Sequence, residues 1–560
     1  MAELPSLENF ANVAVTAQHL ALSDLGLVYM GPNVFAQNHW CALKTVRPEL
    51  LSVSPRVRDR FVREALIWCG LWPHANLLTT QTVDKFTCDI EFSDRPEFAS
   101  GQPFLVLDYA EGACLRNLLA LPHNFATRLF WAECIAAGLL ALHTPDPDLL
   151  RPEPLAHGDL KPENVLILNN GRAVLSACTL AKAIGGDTAA LTVLSTLPPP
   201  PTRTSGEPQT AAAVAVEAAI RCRPVQTSRG PTLGALAYLA PEQWEEATPS
   251  APAADLYAFG ILLSELLSGQ HALLDLEQPH SEEAWRQAHL SGLPHPLRHM
   301  TAEVPPSLEN LYQALLAKHP EQRPTAQEAL ATLQATADHL GLQGYEVSEV
   351  YPRTPERQSM RWHDWAMAHH YFGFDAEALK CNEQALTLAP HHYGFLTWRT
   401  DILHALAAQA EEQGQMTALQ AHIDQLLATY DALQAEIPAT NIQALCELWV
   451  ARAAALQQGQ RHAEAEAVLS QVTALAFAEE GVVVYRALNQ LRWGMAEAHA
   501  GRGQEAVIHY QQGLEFIARA LVLSDGRSED LEIQAKLQQA LAEESSRAGI
   551  TSPLSPGDPS

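Results

Sequence analysis

The sequence predicts a multidomain protein: an α+β unit over residues 1–340, then an all-α solenoid of helical repeats over 358–540. Three observations point there. Short β-rich runs fill residues 15 to about 110, and helical spacing takes over after Gly112. Beyond 358 the chain is rich in Ala and Leu, and glycines recur in similar polar contexts at Gly373, Gly414, Gly459 and Gly501, separated by 41, 45 and 42 residues. A helix pair repeating at such a period cannot bury its apolar face alone and stacks into a solenoid.

The β-rich runs are "HLALS", "GLVYM", "HWCALKTV" and "PFLVLDY", interrupted by "VRDRFVREALIWCGL", whose apolar residues recur at helical spacing. Residues 185–231 are of another kind: "STLPPPPTRTSGEPQT" carries prolines and small polar residues without period and is expected to be disordered. Helical patterning resumes at "DLYAFGILLSELLSG" and runs to about 340. Residues 341–357 read as a linker, and the tail 541–560 as disordered.

A chain of 560 residues exceeds one hydrophobic core, and 47% hydrophobic residues suit globular folding. The formal charge of −28 argues against nucleic acid and anionic membrane as partners, because both repel an acidic surface. The nine cysteines include no CxxC pair, so neither a zinc site nor a disulfide framework is expected. The start "MAELPSLENF" lacks a signal-peptide pattern, and no apolar run is expected to reach the roughly 18 residues of a spanning helix; "CIAAGLLALH" reads as a buried helix. A reducing, cytoplasmic setting follows as the expectation.

Motifs within the first 340 residues carry chemistry. "CALKTV" places Lys44 on a strand, "FVREAL" places Glu64 on the helix after it, and "LVLDYAEGACL" follows. "HGDLKPEN" holds Asp159, Lys161 and Asn164, "GALAYLAPEQW" holds Glu242, "ADLYAFG" holds Asp255, and "HPEQRPT" holds Arg323. In this order and spacing they resemble the Ser/Thr protein kinase fold, which is bilobal, with an N-lobe over about 15–110 and a C-lobe over about 111–340. The resemblance implies a role for each. Lys44 would reach the α and β phosphates of ATP, with Glu64 fixing it. Leu107 would be the gatekeeper, with Asp108 and Ala110 offering backbone groups to the adenine edge. Asp159 would orient the acceptor hydroxyl, Lys161 balance charge on the transferred phosphoryl, and Asn164 bind magnesium. The Glu242–Arg323 pair and Asp255 would be structural.

The departures concern the phosphates. In "ALSDLGLV", Ala21 and Ser23 stand where the family's loop has its first two glycines, and only Gly26 remains. Thirteen residues after Asn164, the metal-binding DFG triad reads Ala177-Cys178-Thr179. Its lost Asp holds magnesium across the β and γ phosphates, so magnesium binding is expected to be weak or absent. Asp187, ten residues on, is not expected to substitute. Gly158 replaces the Arg before Asp159, and Ala235 replaces the Thr of the P+1 segment.

"WAMAHHYFGFDAEALKCNEQALTLAP" resembles a tetratricopeptide repeat, with Gly373, Ala378, Ala385 and Pro390 at that family's offsets. "WGMAEAHAGRGQEAVIHYQQGLEFI" repeats the match with Gly494, Gly501, Ala506 and Tyr510, at a period longer than the standard of about 34. The resemblance implies a groove for a protein or peptide partner. Two functions therefore stand: a catalytically impaired pseudokinase scaffold that binds nucleotide, and an active atypical Ser/Thr kinase whose repeats select substrate. Oligomeric state is left open.

Overall fold

The computed structural model describes residues 18–22, 26–33, 39–46, 50–51, 55–85, 90–92, 95–98, 101–108, 112–146, 153–176, 236–244, 251–276, 280–300, 304–342, 352–474, 479–524 and 527–548. The chain divides into two compact units, Met1–Arg353 and Thr354–Ser560.

The first unit opens with strands β1 (Gln18–Leu22), β2 (Gly26–Asn33) and β3 (His39–Val46), then helix α1 (Pro55–Cys69) and strand β4 (Thr80–Lys85). A small hairpin, β5 (Ile90–Phe92) and β6 (Arg95–Phe98), precedes β7 (Pro103–Asp108). The main sheet is antiparallel in the order β1-β2-β3-β7-β4. β7 is central, and the side chains of residues 103–107 are all buried, as a strand flanked on both edges requires. β3 registers Lys44 between Val28 of β2 and Leu105 of β7. Strand β4 alternates too little to announce itself in sequence; Thr80, Val83 and Asp84 are its buried residues.

Strand β8 (Gly112–Cys114), β9 (Val165–Leu168) and β10 (Ala173–Leu175) form a second antiparallel sheet in the order β10-β9-β8. After the short α2 (Leu115–Leu119) comes α3 (Phe125–His143), started by the Asn124 side chain accepting from the Thr127 amide. α3 is long and apolar enough to cross a membrane by length and composition, which corrects the expectation of a shorter run. It is a core helix: Leu129, Trp131, Cys134, Ile135, Leu139 and Leu142 are buried in the unit. Helix α4 (Pro252–Ser268) is buried nearly all round, begun by Pro252 at its first turn and stopped by Gly269 in the left-handed region (φ 75°). Helices α5 (Glu282–Ser291), α6 (Leu297–Met300), α7 (Pro306–Leu315) and α8 (Ala326–His339) complete the unit, α8 with a reciprocal Thr325–Glu328 capping box.

One cysteine departs from expectation. Cys114 is disulfide-bonded, its partner lying outside the described residues. Cys41, Cys69, Cys134, Cys381 and Cys446 are free and buried.

The second unit is helical throughout its described residues. Its helices are α9 (Pro355–Tyr371), α10 (Asp375–Leu388), α11 (Tyr393–Glu412), α12 (Met416–Glu436), α13 (Ile442–Gln458), α14 (His462–Ala474), α15 (Glu479–His499), α16 (Gly503–Leu523) and α17 (Ser528–Arg547). α9 begins three residues before 358. α17 carries the helix through 541–547, where a disordered tail was expected, because Leu537 and Leu541 join Ile517 and Ala520 of α16 in one core. The recurrent glycines sit between paired helices, as their spacing suggested. Gly373, Gly414 and Gly501 are in the left-handed region, where the absence of Cβ removes the usual cost. Each closes a Schellman motif: the following amide bonds back to the carbonyl five residues earlier, Phe374 to His369, Gln415 to Ala410 and Arg502 to Glu497. At the fourth turn Arg461 bonds to Leu456, and the left-handed residue is Gln460 (φ 59°) rather than Gly459. Gly459 serves packing instead, since a Cβ there would lie 3.0 Å from Ile423.

Candidate functional site

The site is built around the turn that follows α3. Asp255, on the first turn of α4 and 2% exposed, accepts from the backbone amides of His157 and Gly158, both at 2.7 Å. His143, the last residue of α3, donates from Nε2 to the same carboxylate at 2.8 Å. These three charge-assisted bonds fix the loop before Asp159. Gly158 lies at φ 78°, in the left-handed region where an Arg would be strained. The replacement seen in sequence is thus compatible with the loop's shape, while removing a cation.

Asp159, Lys161 and Asn164 come together. Lys161 Nζ lies 2.9 and 2.8 Å from the two carboxylate oxygens of Asp159. Asn164 donates from Nδ2 to the Asp159 backbone carbonyl (2.7 Å) and to Oδ2 (2.8 Å). Burial alone would raise the Asp159 pKa. The charge and hydrogen bond of Lys161, with that of Asn164, outweigh it and hold the carboxyl below its ordinary value. Asp159 is therefore held as an anion and is a weakened base. Because the Asn164 amide nitrogen is engaged, Oδ1 is the atom it can offer a cation. A small, shallow recess adjoins Asp159 between Gly158, Tyr238, Gln243 and Asp255.

The loop is stitched onward. Ser176 donates its amide to the Asn164 carbonyl (2.9 Å), and His157 donates from Nε2 to the Ser176 carbonyl (3.0 Å). This His157 tautomer leaves Nδ1 to face the Asp159 amide at 3.4 Å. Residues 177–235 lie outside the described residues, and with them Ala177, Cys178, Thr179, Asp187 and Ala235.

The other expected residues are placed as follows. Lys44 is mid-strand in β3 and Glu64 mid-helix in α1, both half-buried. Gly26 begins β2, paired with Val46. Asp108 ends β7; its amide bonds to the Thr79 carbonyl (2.9 Å) and its side chain accepts from Gln81 (2.7 Å), so only its carbonyl could serve a ligand from the backbone. Ala110 lies outside the described residues. Among the described residues no three metal-ligating side chains cluster. Among the described residues, Lys44 and Lys161 are the cations the resemblance would place towards a nucleotide's phosphates, and Asn164 the ligand it would place towards a magnesium ion.

The Glu242–Arg323 pair is present. Arg323, with no side-chain exposure, donates both terminal nitrogens to Glu242 at 2.7 and 2.8 Å. Its remaining donors go to the carbonyls of Ala317, Ala253 and Lys318, and its guanidinium lies over the Tyr257 ring. A second buried network escaped the sequence reading. Arg116 of α2 donates to Glu163 (2.8 Å), to Glu265 of α4 (2.5 Å) and to the Tyr238 hydroxyl, which donates in turn to Glu265. Although burial opposes its charge, Tyr238, Glu265 and Glu163 hold Arg116 firmly ionised. The available signal was a lone charge inside each of two apolar runs, "CLRNLL" and "ILLSELL".

Comparison with known proteins agrees with the architecture. The family model of the protein kinase domain matches residues 223–333. The chain is 26% identical over 337 residues to a probable serine/threonine-protein kinase PknB of Lactococcus lactis, covering 60% of this chain and 44% of that protein. It is 28% identical over 263 residues to the serine/threonine-protein kinase PknL of Mycobacterium tuberculosis, covering 44% and 50%. It is 26% identical over 229 residues to mitogen-activated protein kinase kinase kinase 7 of Mus musculus, covering 40% and 31%. The chain spans about half the length, or less, of these relatives. The first unit has a protein kinase-like fold, and a long helical region follows it.

Proposed function

We propose that this is a protein kinase-like signalling protein with impaired phosphoryl transfer: a pseudokinase scaffold that binds ATP through its first unit and recruits a protein or peptide partner through its helical region, read as tetratricopeptide-like, in the cytoplasm. One observation carries the reading. The loop around Asp159 is held by Asp255, His143 and Ser176, while residue 177, where the resemblance places the second metal ligand, is alanine. In this reading Lys44, supported by Glu64, faces the phosphates, and Asp108 and Ala110 line the adenine edge. When bound, magnesium would neutralise phosphate charge, and among the described residues the resemblance brings only Asn164 to it. Positioning and charge supply nearly all of phosphoryl-transfer catalysis, so loss of one such group lowers the rate by about 10²–10³.

A second reading has support of its own. Asp159, Lys161 and Asn164 keep a mutually bonded arrangement, and the relatives are named as serine/threonine kinases. In that reading the protein is a slow, atypical Ser/Thr kinase whose helical region selects the substrate. Phosphate transfer from labelled ATP by the purified protein separates the two, with Asp159→Asn as control. Transfer abolished by Asp159→Asn establishes the kinase; no transfer, with ATP still raising the melting temperature equally in magnesium and in EDTA, establishes the scaffold. Lys44→Ala should remove that thermal shift.

A further inference from the structure

We infer that Arg353 is a positioning residue for the catalytic loop, a strap through which the chain entering the helical region reaches Asp159. Arg353 is the last residue of the first unit and immediately precedes Thr354, the N-cap of α9. It bonds far back in the sequence. Its two terminal nitrogens donate to the two carboxylate oxygens of buried Asp146 at 3.1 and 2.7 Å, and its guanidinium lies 5.2 Å from the centre of the Trp72 ring. A bidentate pair with a stacked ring fixes direction as well as distance.

Both anchors lead to the loop. Asp146 lies three residues beyond His143, whose imidazole bonds the Asp255 carboxylate that holds the amides of His157 and Gly158. Trp72 lies in the turn that joins α1 to β4. In that turn Asn76, fully buried, donates to the Ala173 carbonyl (2.9 Å) and accepts from the Leu175 amide (2.8 Å), and Leu78 bonds to the Leu175 carbonyl (2.8 Å). The turn is also pressed on α3: a Cβ at Gly138 would lie 2.9 Å from the Asn76 carbonyl, so the two cannot shift independently. β10 ends at Leu175, and Ser176 then bonds Asn164 and His157. Two routes thus leave one guanidinium towards residues 157–164: one runs from Asp146 along the chain, through exposed Thr144 and Pro145, to His143, and the other from half-buried Trp72 along its turn to buried Asn76. A partner that reorients the backbone at 353–354 draws on Asp146 and Trp72 together. This deepens the scaffold reading by giving partner binding a path to the nucleotide-binding unit, but its test needs no nucleotide.

Hydrogen exchange of the full-length protein without ligand reads it, comparing the wild type with Arg353→Ala, Arg353→Lys and Asp146→Asn. In Arg353→Ala, peptides covering 74–80, 155–162 and 172–176 should exchange about tenfold faster, with the α4 core unchanged. Asp146→Asn should do the same. Arg353→Lys, which keeps a cation near Trp72 but loses the paired bonds, should fall between. Faster exchange confined to 70–73 and 144–147, or no change, overturns the strap and leaves a local surface pair. If Arg353→Ala opens the α4 core as well, Arg353→Lys and Asp146→Asn decide by the same peptides. A protein that binds no ATP leaves this outcome untouched, so the two proposals fail separately.

Discussion

The loop at 155–164 and the positions that would face a nucleotide's phosphates belong to one chemistry but relate differently to the fold. The loop is bonded to α3, α4 and β10 through His143, Asp255 and Ser176. None of those bonds involves Ala21, Ser23 or Ala177, the positions at which the sequence departs from the family pattern. A substitution at Asp255 leaves amides unsatisfied in a buried place and costs the whole unit; a carboxylate needed only to hold a metal can be exchanged without cost to the loop. An intact catalytic loop is therefore evidence about folding first and about catalysis second.

The strongest way to break this distinction is through the residue most committed to structure. Arg323→Ala strands Glu242 without its partner in a largely buried site, and breaking such a pair from one side costs about 3–5 kcal/mol. Chemical denaturation of the first unit should show this loss, although the hydrogen bonds of Arg323 go to Glu242, Ala253, Ala317 and Lys318 rather than to the loop; a loss under 1 kcal/mol would mean the pair is dispensable. The complementary change acts on chemistry alone. Ala177→Asp should leave denaturation unaltered and, if the missing ligand is the main defect, raise phosphate transfer by about 10²–10³, equivalent to roughly 2.7–4 kcal/mol. A rate that does not move would place the defect in the glycine-poor β1–β2 segment instead.

Acid sharpens the same contrast. His271 and His289 are buried beside Trp285, and His271 bonds the Ala237 carbonyl at 2.8 Å near the Glu242 segment. Burial pushes His271 down to about 4 and His289 to about 3, against an ordinary value near 6.5. Below pH 6.5 the unfolded chain takes up protons that the folded unit refuses, so stability falls as pH drops from 6.5 towards 4 and is fully present above that window. His271 alone accounts for roughly 3 kcal/mol across it. Melting curves between pH 7 and 4.5 should slope accordingly, and His271→Gln should flatten them; equal slopes would show that other groups govern the acid limb.

What the sequence revealed divides along similar lines. Asp159, Lys161, Asn164, Asp255, Glu242 and Arg323 were legible because their order and spacing are specific. Strand β4 was not, since "TQTVDK" buries only part of each face. The tie from Arg353 to Asp146, 207 residues apart, has no local signature, and neither does Asn76, whose role depends on a strand formed a hundred residues later. Helix α3 was underestimated because Arg128 and Glu133 interrupt its apolar run without ending the helix. The period of the helical region was legible from glycines, but not that at one of the four turns the left-handed residue is the glycine's neighbour, Gln460.

That neighbour gives the smallest and most local test. The turns at Gly373, Gly414 and Gly501 combine a left-handed backbone with a Schellman motif, and at the α13–α14 turn the same bonds form around Gln460. A side chain in this region costs about 1–2 kcal/mol, which Gln460 bears and the three glycines do not. Gln460→Gly relieves that strain but gains freedom in the unfolded chain, so the net stabilisation should be about 0.5–1 kcal/mol. Gly459→Ala should act in the opposite direction for a different reason, because its methyl would press on Ile423 at 3.0 Å within the buried core of α12 and α13. Thermal unfolding of the two variants separates conformation from packing at adjacent positions. If Gln460→Gly is neutral or destabilising, the left-handed Gln460 carries no strain, and the glycines at the other three turns are there for something other than their backbone freedom.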